Sequence, residues 1–160
     1  FNIPIIRLMD TPGFVVGTEA ERRGAPGWIM NFMNATCLTT VPSVTVIVRK
    51  AYGRAYVAMG GGAHNDAMVA WPMAEVSFMD PVFATDIVHS KRPGDEGFDE
   101  ALNHIQKDLE VWDMARIFSA HDIIKPQETR SFLIRMLDLQ RRRRTGGIGE
   151  HRMRTWPTSY

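Results

Sequence analysis

SVTVIVRKAYGRAYVAMGGG, residues 43–62, is the stretch around which the chain is organised. An apolar, β-branched run from Val44 to Val48 reads as a strand, Gly53 as a turn, and the residues after it as a short helix. The first backbone N–H groups of a helix have no partner inside it, so a strand that turns directly into a helix makes an anion-binding corner. On spacing alone a second reading stands beside this one, in which Gly53 only lets the chain turn.

Outward from this stretch the pattern alternates. Residues 3–9 are apolar apart from Arg7 and predict a strand buried on both faces, closed by the turn signal Asp10-Thr11-Pro12-Gly13. Thr18 and Glu21 have capping-box spacing, and Pro26 predicts a second helix with Trp28, Ile29, Phe32 and Met33 on one face, a stripe that reads as core packing. Downstream, Gly60-Gly61-Gly62 predicts a loop, and two strand-like runs, residues 67–71 and 74–79, are split by Pro72. After a polar break at residues 91–97, the positions Phe98, Leu102, Ile105, Leu109 and Trp112 predict one long amphipathic helix. Residues 122–124 predict another strand. Pro126 opens a last helix with Phe132, Leu133, Met136 and Leu137 inward, which runs into Arg141 to Arg144. The organisation expected is a domain over 1–144 followed by a tail over 145–160. Strands alternating with helices imply an α/β domain with mostly parallel pairing.

Composition narrows the function classes. The 160 residues, 44% of them hydrophobic, suffice for one sizeable core, and the formal net charge of +1 gives no sign of a nucleic-acid binder. No apolar run approaches the roughly 18–20 residues of a membrane span, and no secretory signal is visible. A single cysteine, Cys37, excludes an internal disulfide and fits a reducing compartment; it lies in an apolar helical pattern where its thiol is inert. The chain opens at Phe1 on residues that already read as strand, as expected of a fragment or a processed piece.

Most familiar motifs fail when tested. Asp10-Thr11-Pro12-Gly13 resembles a GTPase D-x-x-G element, but the chain has no G-x-x-x-x-G-K-[ST] loop to accompany it. Gly60-Gly61-Gly62 lacks dinucleotide-binding spacing. The histidines His64, His89, His104, His121 and His151 are scattered, so no metal site is expected. His64-Asn65-Asp66 reads as a solvated loop or as part of a pocket wall, and the arginine run 141–144 as a helix end that suits the dipole or as a phosphate patch. No serine sits in a G-x-S-x-G elbow. Chemistry done by backbone N–H groups remains. Removing one such donor from an oxyanion typically costs about 10²–10³ in rate.

A resemblance then joins separate blocks. Ile3-Pro4-x-Ile6, Asp10-x-Pro12-Gly13-Phe14, Gly17-Thr18, Glu21, Val41-Pro42-x-Val44-Thr45-Val46, Arg49-Lys50-Ala51-Tyr52-Gly53, Ala55-Tyr56, Met59-Gly60 and Ala70-Trp71-Pro72-x-Ala74-Glu75 follow one another at compatible spacing. With Asp122-Ile123-Ile124-x-Pro126, Glu128-Thr129-Arg130, Leu133 and Leu137, they resemble the C-terminal half of the carboxyltransferase subunit of biotin-dependent acyl-CoA carboxylases, of the propionyl-CoA and methylcrotonyl-CoA carboxylase beta type.

That resemblance implies a crotonase-like fold of repeated ββα turns, with this chain as the second of two tandem domains. It implies biotin on a separate carrier domain as cofactor, an acyl-CoA as substrate, and an oligomer in a trimer-of-dimers arrangement. The partners implied are an N-terminal carboxyltransferase domain or subunit and a biotin carboxylase or carrier subunit, in the cytoplasm or the mitochondrial matrix. Carried over, the backbone N–H groups of Arg54 and Ala55 would face the biotin ureido oxygen, with Gly53, Tyr56, Val57, Gly13 and Phe14 around the site. Relatives commonly read A-Y-G-G-A-Y-D here, whereas this chain has Arg54 for the second glycine and Val57 for the acid. It also has Ile29 and Met30 where relatives often have glycine and alanine. Three readings stay open: a carboxyltransferase, a carboxyl-CoA decarboxylase running the same chemistry in reverse, and a non-catalytic scaffolding homologue that has lost biotin.

Overall fold

The computed structural model describes residues 3–62, 65–107, 109–117 and 119–141. The tail 145–160, Arg142 to Arg144, His64 and His151 lie outside the described residues. At the centre of the sheet lies β2 (Ser43–Tyr52), in which Val44, Val46 and Ile47 are completely buried. It extends beyond the apolar run because three strands pair with it in parallel. β1 (Ile5–Thr11) lines one edge, from Ile5 opposite Ser43 to Thr11 opposite Ala51. β3 (Ala67–Ala70) and then β4 (Glu75–Ser77) share the other, β3 against Val44 to Ile47 and β4 against Lys50 to Tyr52. Pro72, which has no N–H to offer a ladder, lies in the gap between them. β5 (Asp122–Ile123) completes the sheet, parallel to β3.

Alternation along β2 decides which helix covers which face. Ile47 joins Met9, Met68, Ala70, Val111 and Met114 in the larger core cluster. Val46 joins Val69 and Ile124 on the other side, with Phe132 and Leu133 packed against them. Those two residues belong to α7 (Thr129–Leu139), which a 3-10 turn at Pro126–Glu128 leads into. The Trp71 Nε1–H donates to Thr129 Oγ1 at 2.9 Å and fastens this helix to the end of β3.

Between β1 and β2 the chain forms α1 (Thr18–Arg22) and α2 (Ala25–Cys37). The short α3 (Gly53–Ala58) follows β2 without a linker. After the sheet come α4 (Pro81–His89), α5 (Phe98–Lys107) and α6 (Val111–Arg116).

Several expectations change. β1 is open on one face, with Leu8 61% exposed and Ile6 also exposed, because none of the described elements covers that side of the edge strand. The α2 stripe divides: Ile29 and Met33 are half-buried, whereas Trp28 and Phe32 face outward. Thr18 is not a cap, since Gly17 occupies the N-cap position and no side chain caps α1. The long helix expected from Phe98 to Trp112 is broken, because the backbone at 109–110 is drawn to β4. Val76 N–H donates to the Leu109 carbonyl at 3.1 Å, and Glu75 bridges antiparallel to Glu110. Helix α4 was not expected, although Asp80 caps it by accepting from the Val82 N–H at 3.0 Å and Pro81 stands in its first turn. Asn65 and Asp66 pin backbone: Asn65 donates to the Gly60 carbonyl, and Asp66 accepts from the Ser43 N–H at 2.8 Å.

Candidate functional site

The corner is built as the stretch suggests. Tyr52 is still extended, with φ −106° and ψ 136°, and Gly53 turns the chain at φ +61°, a left-handed value that a side chain disfavours. A Cβ at Gly53 would also lie 3.1 Å from the Phe78 carbonyl oxygen, so the position is closed to larger residues by backbone as well as by conformation. Helix α3 starts there without a side-chain cap, which leaves its first N–H groups, those of Gly53, Arg54 and Ala55, without partners inside the helix.

Forty residues earlier, the end of β1 is shaped to reach the same place. Between Met9 and Thr11 the register shifts, an advance of two residues on β1 matching four on β2. Asp10 fills the irregularity, accepting from the Lys50 N–H at 3.1 Å and from Arg49 Nε at 3.2 Å. The Arg49 hydrogen bond, with the Lys50 N–H second, holds the Asp10 carboxyl below its usual range. Beyond it, the Gly13 N–H bonds Thr11 Oγ1 at 3.4 Å and Gly13 adopts φ +123°.

Gly13 and Phe14 thereby line the same cavity as Gly53 and Arg54. It measures about 690 Å³, and its walls are mainly apolar, with Val16, Ile29 and Met30 from the α1–α2 side and Phe83 and Ile87 from α4. Its polar groups include Glu21, Asp80 and the exposed Arg54, and none of the ion pairs among the described residues involves Arg54.

The other three expected residues lie behind this wall. Ala55 is buried, and Val57 is half-buried away from the cavity lining. Tyr56 points to the glycine loop, where its hydroxyl accepts from the Gly62 N–H at 3.1 Å and lies 3.8 Å from Met68 Sδ. Its ring fills the space beside Gly61, where a Cβ would approach to 2.5 Å. Burial raises the Tyr56 pKa above its ordinary value.

Sequence reading missed three contributors, Phe83, Ile87 and Tyr52. Phe83 and Ile87 belong to the unexpected α4, which the Asp80-Pro81 cap-and-proline signature announces. Tyr52 was noticed only as part of a block; it is 1% exposed, lines the cavity, and donates its hydroxyl hydrogen to Glu75 Oε2. Among the described residues no group of three or more His, Cys, Asp or Glu side chains is placed to hold a metal ion.

Comparison with known proteins places this geometry. Residues 1–153 match the family model described as a carboxyl transferase domain. A putative propionyl-CoA carboxylase beta chain from Bacillus subtilis (strain 168) is 35% identical over 141 residues, covering 84% of this chain and 28% of that protein. The methylmalonyl-CoA decarboxylase subunit alpha of Veillonella parvula is 34% identical over 139 residues, covering 86% and 27%. Transcarboxylase 12S, solved as a hexamer assembly with methylmalonyl-coenzyme A and methylmalonic acid bound, superposes with a TM-score of 0.85 at 31% identity, over 99% of this chain and 31% of that one. The parallel sheet with its strand-to-helix corner is thus the crotonase-like fold of carboxyltransferases. The chain belongs to the carboxyl transferase domain family, and it spans under a third of the length of these relatives.

Proposed function

We propose that this chain supplies the biotin-facing half of a biotin-dependent acyl-CoA carboxyltransferase. The observation that carries the reading is the single cavity in which the Gly13-Phe14 loop meets the uncapped first turn of α3 at Gly53-Arg54. Arg54 and Ala55 N–H groups are the donors, Gly53, Gly13 and Phe14 shape the wall, and Tyr56 and Val57 support the helix that presents the donors.

The residues present fit biotin. Backbone amides are the donors a neutral ureido oxygen requires, and apolar walls suit a fused ring on an alkyl chain. A Cβ at Gly53 would stand against the Phe78 carbonyl and crowd the turn. Biotin supplies the carboxyl group through its ureido nitrogen. The Arg54 and Ala55 N–H groups stabilise an oxygen that gains negative charge, an effect of about 10²–10³ in rate per donor. Phe14 and Ile29, half-buried in the cavity wall, make the surroundings of that oxygen less polar, which strengthens both hydrogen bonds. Arg54 keeps its N–H despite its side chain, and its charge favours an anion at the rim.

An N-terminal carboxyltransferase domain or subunit holds the acyl-CoA, and a biotin carboxylase or carrier subunit delivers biotin to an oligomer in the cytoplasm or mitochondrial matrix. The similarity to a decarboxylase subunit favours a second reading, the same site run from carboxylated acyl-CoA toward biotin. The test is carboxyl transfer from free carboxybiotin to propionyl-CoA, with the chain assembled with its complementary domain. Transfer is expected in the parent and retained in Arg54→Gly. A silent parent, whether or not Arg54→Gly transfers, would overturn the catalytic reading in favour of a scaffold.

A further inference from the structure

Tyr52 occupies the N-cap of α3, so its orientation sets the direction in which the Gly53, Arg54 and Ala55 N–H groups leave the helix. Its ring is buried in the cavity wall, and its hydroxyl reaches the carboxylate of Glu75, 23 residues further along the chain. Glu75 is well placed to hold something still. Its strand pairs with β2, setting Glu75 opposite Lys50 and Ser77 opposite Tyr52, and its other side bridges to Glu110. The Lys50 Nζ lies 5.6 Å from the centre of the Tyr52 ring and adds a cation to the same patch. A second cavity of about 420 Å³, lined by Pro72, Glu110 and Trp112, opens beside Glu75. The hydrogen bond therefore connects the wall of the candidate site to a residue anchored outside it.

We propose that Glu75 is a positioning residue that acts through Tyr52, its hydrogen bond locking the last strand residue before the corner and so fixing the aim of the Arg54 and Ala55 amides. This rests on the reading of those amides as donors to a developing negative oxygen. Such donors work only where they are held, and a displacement of about 1 Å costs on the order of 10²-fold in rate. The Phe78 carbonyl backs the turn at Gly53, and the phenol fixes the residue before it. The Tyr52 phenol is a donor at neutral pH even at its ordinary pKa of 10.0, and burial first, with the Glu75 hydrogen bond second, raises that value further.

The test uses the chain assembled with its complementary domain, propionyl-CoA and free carboxybiotin. Glu75→Ala and Tyr52→Phe are expected to lower kcat about tenfold or more, with KM for propionyl-CoA within about twofold of the parent. Glu75→Gln keeps an oxygen that accepts from the phenol and is expected to rescue most of the loss. Amide exchange of a peptide covering 53–58, read by mass spectrometry, is expected to rise about fivefold in Glu75→Ala and Tyr52→Phe and to stay near parent in Glu75→Gln, with a peptide covering 129–139 unchanged. Equal exchange across all four proteins overturns the proposal, and so does raised exchange with unchanged kcat. If the parent transfers no carboxyl group, the donor reading fails on its own and the exchange result alone decides the role of Glu75.

Discussion

Gly53 shows how much a single residue carries. Its positive φ and the Phe78 carbonyl 3.1 Å from its Cβ position both oppose a side chain. Gly53→Ala is therefore expected to destabilise the fold by about 1–3 kcal/mol in urea unfolding, and an unchanged midpoint would show that the turn relaxes freely. The buried Tyr52 and the half-buried Tyr56 make a pH prediction with a definite sign. Burial raises the pKa of both Tyr52 and Tyr56, so the folded state keeps phenolic protons that the unfolded chain loses above its ordinary value of 10.0. Their contribution is complete below pH 10 and falls as pH rises through the folded values, by at most about 1.4 kcal/mol per pH unit for each phenol. Unfolding free energies measured from pH 9 to 11 should decline, with a shallower slope in Tyr56→Phe. Equal slopes would mean that Tyr56 is open to solvent.

At the scale of elements, the fastening of α7 is specific. Its residues Phe132 and Leu133 are half-buried against Val46, Val69 and Ile124, and the Trp71–Thr129 hydrogen bond adds a directional tie at the start of the helix. A double-mutant cycle with Trp71→Phe and Thr129→Val is expected to give a coupling of about 1 kcal/mol, and additivity would remove that role. Element reading from sequence worked where periodicity and caps agree, as in β2 and in the proline-led starts of α2 and the final helical segment. It failed at residues 98–116 for a physical reason. The apolar spacing is continuous, yet the backbone at Leu109 and Glu110 finds better partners in β4 than in a continued helix. It also passed over α4, where the Asp80-Pro81 start was visible but the helix presents Phe83 and Ile87 outward, without an obvious buried stripe.

On the scale of the whole molecule, several exposed apolar side chains lie together around the candidate site. Val15 is 81% exposed, Phe78 84% and Phe83 65%, and all three line the cavity. Contiguous exposure of this kind marks an interaction surface rather than the scattered apolar residues of an ordinary exterior. If the complementary carboxyltransferase domain covers it, Phe83→Lys with Ile87→Lys should weaken assembly at least tenfold by sedimentation while changing unfolding stability by less than about 0.5 kcal/mol. Unchanged assembly would separate this face from the interface.

The sequence by itself determined the central strand, the glycine corner and the backbone chemistry it permits, because hydrophobic period, turn residues and unsatisfied helix N–H groups are local properties. Only the tertiary structure decided that Gly13 and Phe14 share a cavity with Gly53 and Arg54, and that Tyr52 hangs from Glu75. Both follow from strand register, the shift around Asp10 and the pairing of β4 with β2, which no local pattern encodes. Exposure of Trp28, Phe32 and Leu8 was likewise decided by what packs against them, since periodicity names an apolar face and only neighbouring elements bury it.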